Sequence, residues 1–171
     1  MVPRSRASSA SRSRTVASTL MVVVLMSEVY LSVDRAVYRH GCGDAGRADA
    51  RRGTAAETLT VQLDDTIAAV IPIAYSAQSN GMGSFHRYKV SLTVDNGAGE
   101  RIVIDASNAS RSEARYTCVP AIIHHHIDGS VWVQHVERYS KPHSESRPSA
   151  RLTKTGKLML MMDQGPFNDF K

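Results

Sequence analysis

The sequence is poor in several features that usually announce a function. It has two cysteines, Cys42 and Cys118, and neither belongs to a CxxC pair. A zinc ribbon and a thioredoxin-type redox motif are thereby excluded. One disulfide between the two and a pair of free buried thiols both fit the count. Aromatic residues make up 6% of the chain. No basic strip interleaved with aromatics, of the kind that stacks on nucleic-acid bases, can be found. Gly81-Met82-Gly83 lacks the lysine and the following helix that a phosphate cradle needs. No acid precedes Glu28, and no repeat of solenoid length occurs.

What is present falls into two parts. Residues 1–52 hold nine arginines and four acids, a net of +5. Subtracting from the totals leaves 21 − 9 = 12 basic and 16 − 4 = 12 acidic residues in 53–171, so the body of the chain is neutral. The high isoelectric point therefore belongs to the front and implies no nucleic-acid face on the folded part. Hydrophobic content of 42% supplies a packed core for one domain.

Residues 1–14, rich in Arg and Ser, have nothing to bury and read as a disordered basic tail. Within 15–40 the run Val16–Val33 is the most apolar of the chain, and a basic lead before such a run predicts an apolar helix acting as a membrane anchor or signal. Eighteen helical residues span roughly 27 Å, just short of a bilayer core of about 30 Å. Six valines and three leucines favour insertion by roughly 3–5 kcal/mol, and Glu28 opposes it by up to about 3 kcal/mol, so insertion is marginal. Leu25-Met26-Ser27-Glu28 is a poor cleavage site. The readings are an uncleaved anchor with an extracytoplasmic domain, an organellar presequence, or a helix of a soluble protein. Residues 41–57, small and charged, read as a linker.

Beyond the linker the period is two. Thr58–Leu63 alternates as a first strand, and Asp64-Asp65 end it. Pro72 within Thr66–Tyr75 predicts an edge strand or a bend. Ser76–Ser84 reads as a loop. Tyr88–Val94 and Arg101–Asp105 alternate around Asp95–Gly99, a hairpin. Ala106–Arg115 is polar, with a glycosylation-like Asn108-Ala109-Ser110. Tyr116–Val119 predicts a short strand ending at Pro120. Ser140–Arg151 reads as a loop, and Lys157–Asp163 as a last strand apolar on both faces. Residues 58–164 thus predict a mainly β domain, a small antiparallel barrel (Greek-key or OB-like) or a sandwich, with 165–171 as a tail.

The most chemically loaded stretch is Ile122–Tyr139. Asp128-Gly129 between apolar runs signals a hairpin. A two-residue turn would set His126 opposite Val131 and His124 opposite Val133. One face then carries His124, His126, His135 and Glu137; the other, assigned to the core, carries Ile123, His125, Ile127, Trp132, Gln134 and Val136. Three imidazoles so placed would bind zinc or another divalent transition metal, leaving a position for water. Glu137 would orient a ligand or act as base. His-x-His on one strand with a third His on the next resembles the ligand layout of carbonic anhydrases and cupins. The resemblance covers these positions alone, and a slip of one residue in the turn would disperse the triad.

Three function classes follow. The first is a non-catalytic, membrane-tethered β-domain serving binding or assembly, with the membrane met through 16–33 and a protein partner or a second copy on the domain. The second is a metal-dependent hydrolase or lyase built on His124, His126 and His135. The third, nucleic-acid binding, rests on the Arg/Ser tail alone.

Overall fold

The computed structural model describes the backbone of residues 18–25, 29–32, 36–38, 41–42, 51–52 and 56–167, and side chains from 58 to 167. The tail expected over 1–14 lies outside the described residues. In chain order the strands are β1 (Ser18–Leu25), β2 (Val29–Ser32), β3 (Ala36–Tyr38), β4 (Gly41–Cys42), β5 (Arg51–Arg52), β6 (Ala56–Leu63), β7 (Ile67–Val70) and β8 (Ile73–Ser76). A short helix α1 (Ser84–Tyr88) precedes β9 (Ser91–Asp95) and β10 (Arg101–Asp105). β11 (Thr117–His125), β12 (Val131–Tyr139), β13 (Ser149–Leu152) and β14 (Leu158–Met161) complete the chain.

The helix expected over 15–40 is replaced, among the described residues, by strands. β1 lies between β6 and β9, in the middle of its sheet. A run such as Met21-Val22-Val23-Val24-Leu25 is apolar at every position and β-branched at its three central ones, which suits a central strand as well as a helix in lipid. Among the described residues no helix is long and apolar enough to cross a membrane. The linker expected over 41–57 contributes two-residue pairings at β4 and β5, and β6 begins at Ala56.

Two antiparallel sheets face each other across one core. The first runs β10-β9-β1-β6-β5. In the second, β7 and β8 both pair with the same edge of β11, because β12 occupies its other edge. β2 and β3 continue beyond β8 and β7. Leu59, Leu63, Leu92, Val94 and Ile104 from the first sheet meet Val70, Ala74, Cys118, Ala121 and Ile123 from the second. Among the described residues both sheets keep free edges, so they form no closed barrel. A second cluster covers the outer face of the second sheet, where Ile71, Ile73, Tyr75, Val119 and Ile122 lie under the β13–β14 hairpin.

The two prolines are placed by the same logic. Pro72 separates β7 from β8 as a bend rather than at a sheet edge. β11 runs on through Pro120 instead of ending there. Extending the Thr117–Tyr75 register by three residues sets Pro120 opposite Pro72. Neither has an N–H to offer, so no ladder partner is deprived, and the β11–β12 register also shifts between Val119 and Ala121.

Three further expectations are corrected. Tyr88 belongs to α1, so a five-residue helix follows Gly83, and the next strand starts at Ser91. β13 begins inside the expected 140–151 loop and runs on to Leu152. β14 is half-exposed in a two-stranded ribbon rather than packed on both faces, with Met159 38% exposed.

Candidate functional site

The histidine hairpin forms, one residue out of the expected register. His125 pairs with Val131, His124 with Trp132 and Ile122 with Gln134. The loop has three residues: the N–H of Gly129 donates to His126 O (3.0 Å), and the N–H of His126 donates to Ser130 O (2.9 Å). Gly129 takes φ +82°, the left-handed residue that closes this turn form. Asp128 Oδ1 accepts from the N–H (2.9 Å) and hydroxyl (2.6 Å) of Ser130. Those bonds hold the Asp128 carboxyl below the usual carboxylate range, the hydroxyl bond contributing most.

The slip rearranges every candidate. His124 now shares the outer face with Trp132, the two rings stacked at 4.3 Å and 8°. Its Nε2–H donates to Gln134 Oε1 (3.0 Å). His126 sits in the exposed loop. His135, opposite Ala121, lies on the other face beside Glu137, with Nε2 3.5 Å from Oε2. The structure therefore does not bring His124, His126 and His135 together. Among the described residues no three His, Cys, Asp or Glu side chains are grouped to hold a metal ion. His125 does face the core, as expected, and its Nδ1–H donates to Ile67 O (3.0 Å), fastening the hairpin to the start of β7. Trp132, expected in the core, is 46% exposed.

Glu137 has a role that the sequence did not reveal. Its side chain is 4% exposed and its backbone takes φ +40°, a strained conformation for a residue with a Cβ. Oε1 accepts from the N–H of Asn108 (2.6 Å) and the Tyr139 hydroxyl (2.8 Å), and Oε2 accepts from Asn108 Nδ2 (2.5 Å). The carboxylate thus latches the 106–115 loop onto β12, and is occupied rather than poised as a base. Tyr139 packs on Phe85 (5.8 Å) and neighbours Cys118. Burial pushes the Tyr139 hydroxyl up, and it pushes the free Cys118 thiol up as well. Cys118 is a free thiol enclosed in the core, and a nucleophilic role is disfavoured. The crevice between Phe85, Ala109, Glu113 and Tyr139 is too narrow for a water molecule.

What remains open is a rim. β10 is one end of the first sheet, β12 is one edge of the second, and both lie on the β11 side of the core. Ile102 (47%), Val103 (57%), Val131 (36%) and Trp132 (46%) are exposed along these two strands, with Ile127 (80%) at the turn. Five of the eight large hydrophobics exposed among the described residues thus fall on these two hairpins. Such a concentration marks an interaction surface more often than chance scatter does. The hairpins were legible from the sequence; the exposure was not, because it depends on which strands end the sheets.

Neither a family of known proteins nor a curated protein matches the chain. Among solved structures, the crystal structure of a homologue of telluride resistance protein (TerD) from Streptomyces coelicolor A3(2) overlaps 77% of this chain and 83% of its own. The two are 13% identical and superpose with a TM-score of 0.35, a likeness too slight to carry an argument about fold or function.

Proposed function

We propose that the chain is a non-catalytic binding or assembly module that engages an extended polypeptide along the rim formed by β10 and β12. The observation that carries this reading is the state of β12. Among the described residues, 131–136 form a free sheet edge with no formal charge and no proline, and they present Val131 and a half-exposed Trp132. Free edges are ordinarily guarded by charge, proline or shortness, because their unpaired N–H and C=O groups accept any strand. An unguarded edge beside an exposed aromatic suits a protein that meets a partner there. The neutral body and the fully engaged Glu137 support binding over catalysis.

The membrane tether expected on 16–33 is not part of this proposal, since Ser18–Leu25 and Val29–Ser32 are paired strands. Fractionation of the full chain tests the tether separately.

Site-specific photo-crosslinking tests the binding reading. A benzophenone side chain replacing Trp132 in the full chain, in the cells that produce it, should yield one discrete adduct. The same group at Thr155, in the exposed β13–β14 turn, should yield none. No adduct at 132, or the same adducts at both sites, sinks the reading.

A further inference from the structure

We infer that the occupant of this rim is a second copy of the chain, joined edge to edge and antiparallel through both β10 and β12. The inference rests on the proposed binding rim and names its partner. It starts from which amides are unused. The His126 N–H to Ser130 O bond makes that pair a hydrogen-bonded one. Bonded and non-bonded pairs alternate in an antiparallel ladder, so 132 and 134 point their amides at β11, while Val131, Val133 and His135 point theirs outward. On β10 the Asn96 N–H to Glu100 O bond sets the phase in the same way. Arg101, Val103 and Asp105 then point away from β9.

Each outward set is self-complementary about a two-fold axis. For β10, Arg-Ile-Val-Ile-Asp, an axis at Val103 sets Arg101 opposite Asp105 of the second copy, and Asp105 opposite its Arg101. Opposite charges meet twice, and both side chains are exposed. For β12, an axis at Gln134 sets Trp132 opposite Val136 of the second copy, an aromatic on a β-branched residue, again twice. Both pairings match outward residues with outward residues, as a ladder requires. β10 contacts β11, which β12 flanks, so the two edges lie on the same side of the core, and the assembly requires one two-fold axis to serve both pairings. A two-fold assembly covers both of these edges, and the other ends of the sheets, β5, β2 and β4, lie away from the proposed seam.

Sedimentation equilibrium of the full chain tests this. The mass expected is 2 × 18.7 = 37.4 kDa, falling to 18.7 kDa on dilution. Arg101→Asp and Asp105→Arg should each weaken association about tenfold or more at low ionic strength, and less in high salt. An equimolar mixture of these two variants should recover it. The double swap Arg101→Asp/Asp105→Arg should also recover it, because complementarity returns. Trp132→Lys should weaken association, with circular dichroism confirming that the fold persists. A chain of 18.7 kDa at every concentration overturns the inference, as does a dimer that the single charge reversals leave unchanged or the double swap fails to restore. If the chain is monomeric yet the position-132 adduct carries a different protein, self-pairing falls and the binding rim stands.

Discussion

Replacing Glu137 separates latch from catalyst. Its carboxylate accepts three hydrogen bonds, two from Asn108 and one from Tyr139. Bonds to a charged acceptor contribute roughly 1.5–3 kcal/mol each when buried. Asn108 is exposed, so water replaces most of what it loses, and its two bonds are discounted to a few tenths. The half-buried Tyr139 hydroxyl keeps nearly its full loss. Glu137→Ala should therefore destabilise by about 2–4 kcal/mol, a large part of a stability on the order of 5–15 kcal/mol. The backbone adds a second, opposite effect. At φ +40° a glycine is unstrained where alanine is not, so Glu137→Gly should lose about 1 kcal/mol less than Glu137→Ala, although it removes the same bonds. Urea unfolding of the three proteins, followed at Trp132, measures both differences. A Glu137→Ala chain within about 0.5 kcal/mol of the parent would refute the latch. Alanine more stable than glycine at this position would refute the strain.

Other outcomes follow from single contacts. A Cβ at Gly83 would lie 2.4 Å from Arg111 O at φ +67°, so Gly83→Ala should cost about 2–4 kcal/mol in the same unfolding experiment. In a Cys42→Ser background Cys118 should react with a thiol reagent at pH 8 only as fast as the protein unfolds, since burial raises its thiol; prompt labelling would contradict that. Asp64 is held below the usual carboxylate range, chiefly by the Thr66 hydroxyl and then its N–H. Its contribution is present above the unfolded value near 4 and is lost as pH falls through the folded value. Asp64→Asn should accordingly lose less stability than the parent on acidification, and equal losses would contradict the assignment.

The period-two pattern was enough to place β6, β9, β10 and the hairpin of β11 and β12, because alternation reports a strand with one buried face. It misled where a strand is buried on both faces: the valine run of β1 carries no alternation and looks the same as a helix in lipid. The histidine cluster failed for a narrower reason. Asp128-Gly129 fits a two-residue turn and a three-residue turn equally well, and the choice lies in bonds made by Ser130 and His126. One residue of difference moved His124 onto Trp132 and left His135 beside Glu137. The latch on Asn108 was illegible because 29 residues separate its two ends.

Site-resolved amide exchange on the full chain reaches the central claim most directly. At concentrations where the chain is assembled, the amides of Val103, Val131, Val133 and His135 should exchange slowly, and they should turn fast on dilution or in Trp132→Lys. Fast exchange at those four positions under every condition, with Ile123 protected as a core reference, would mean that the rim is left open and the account is wrong.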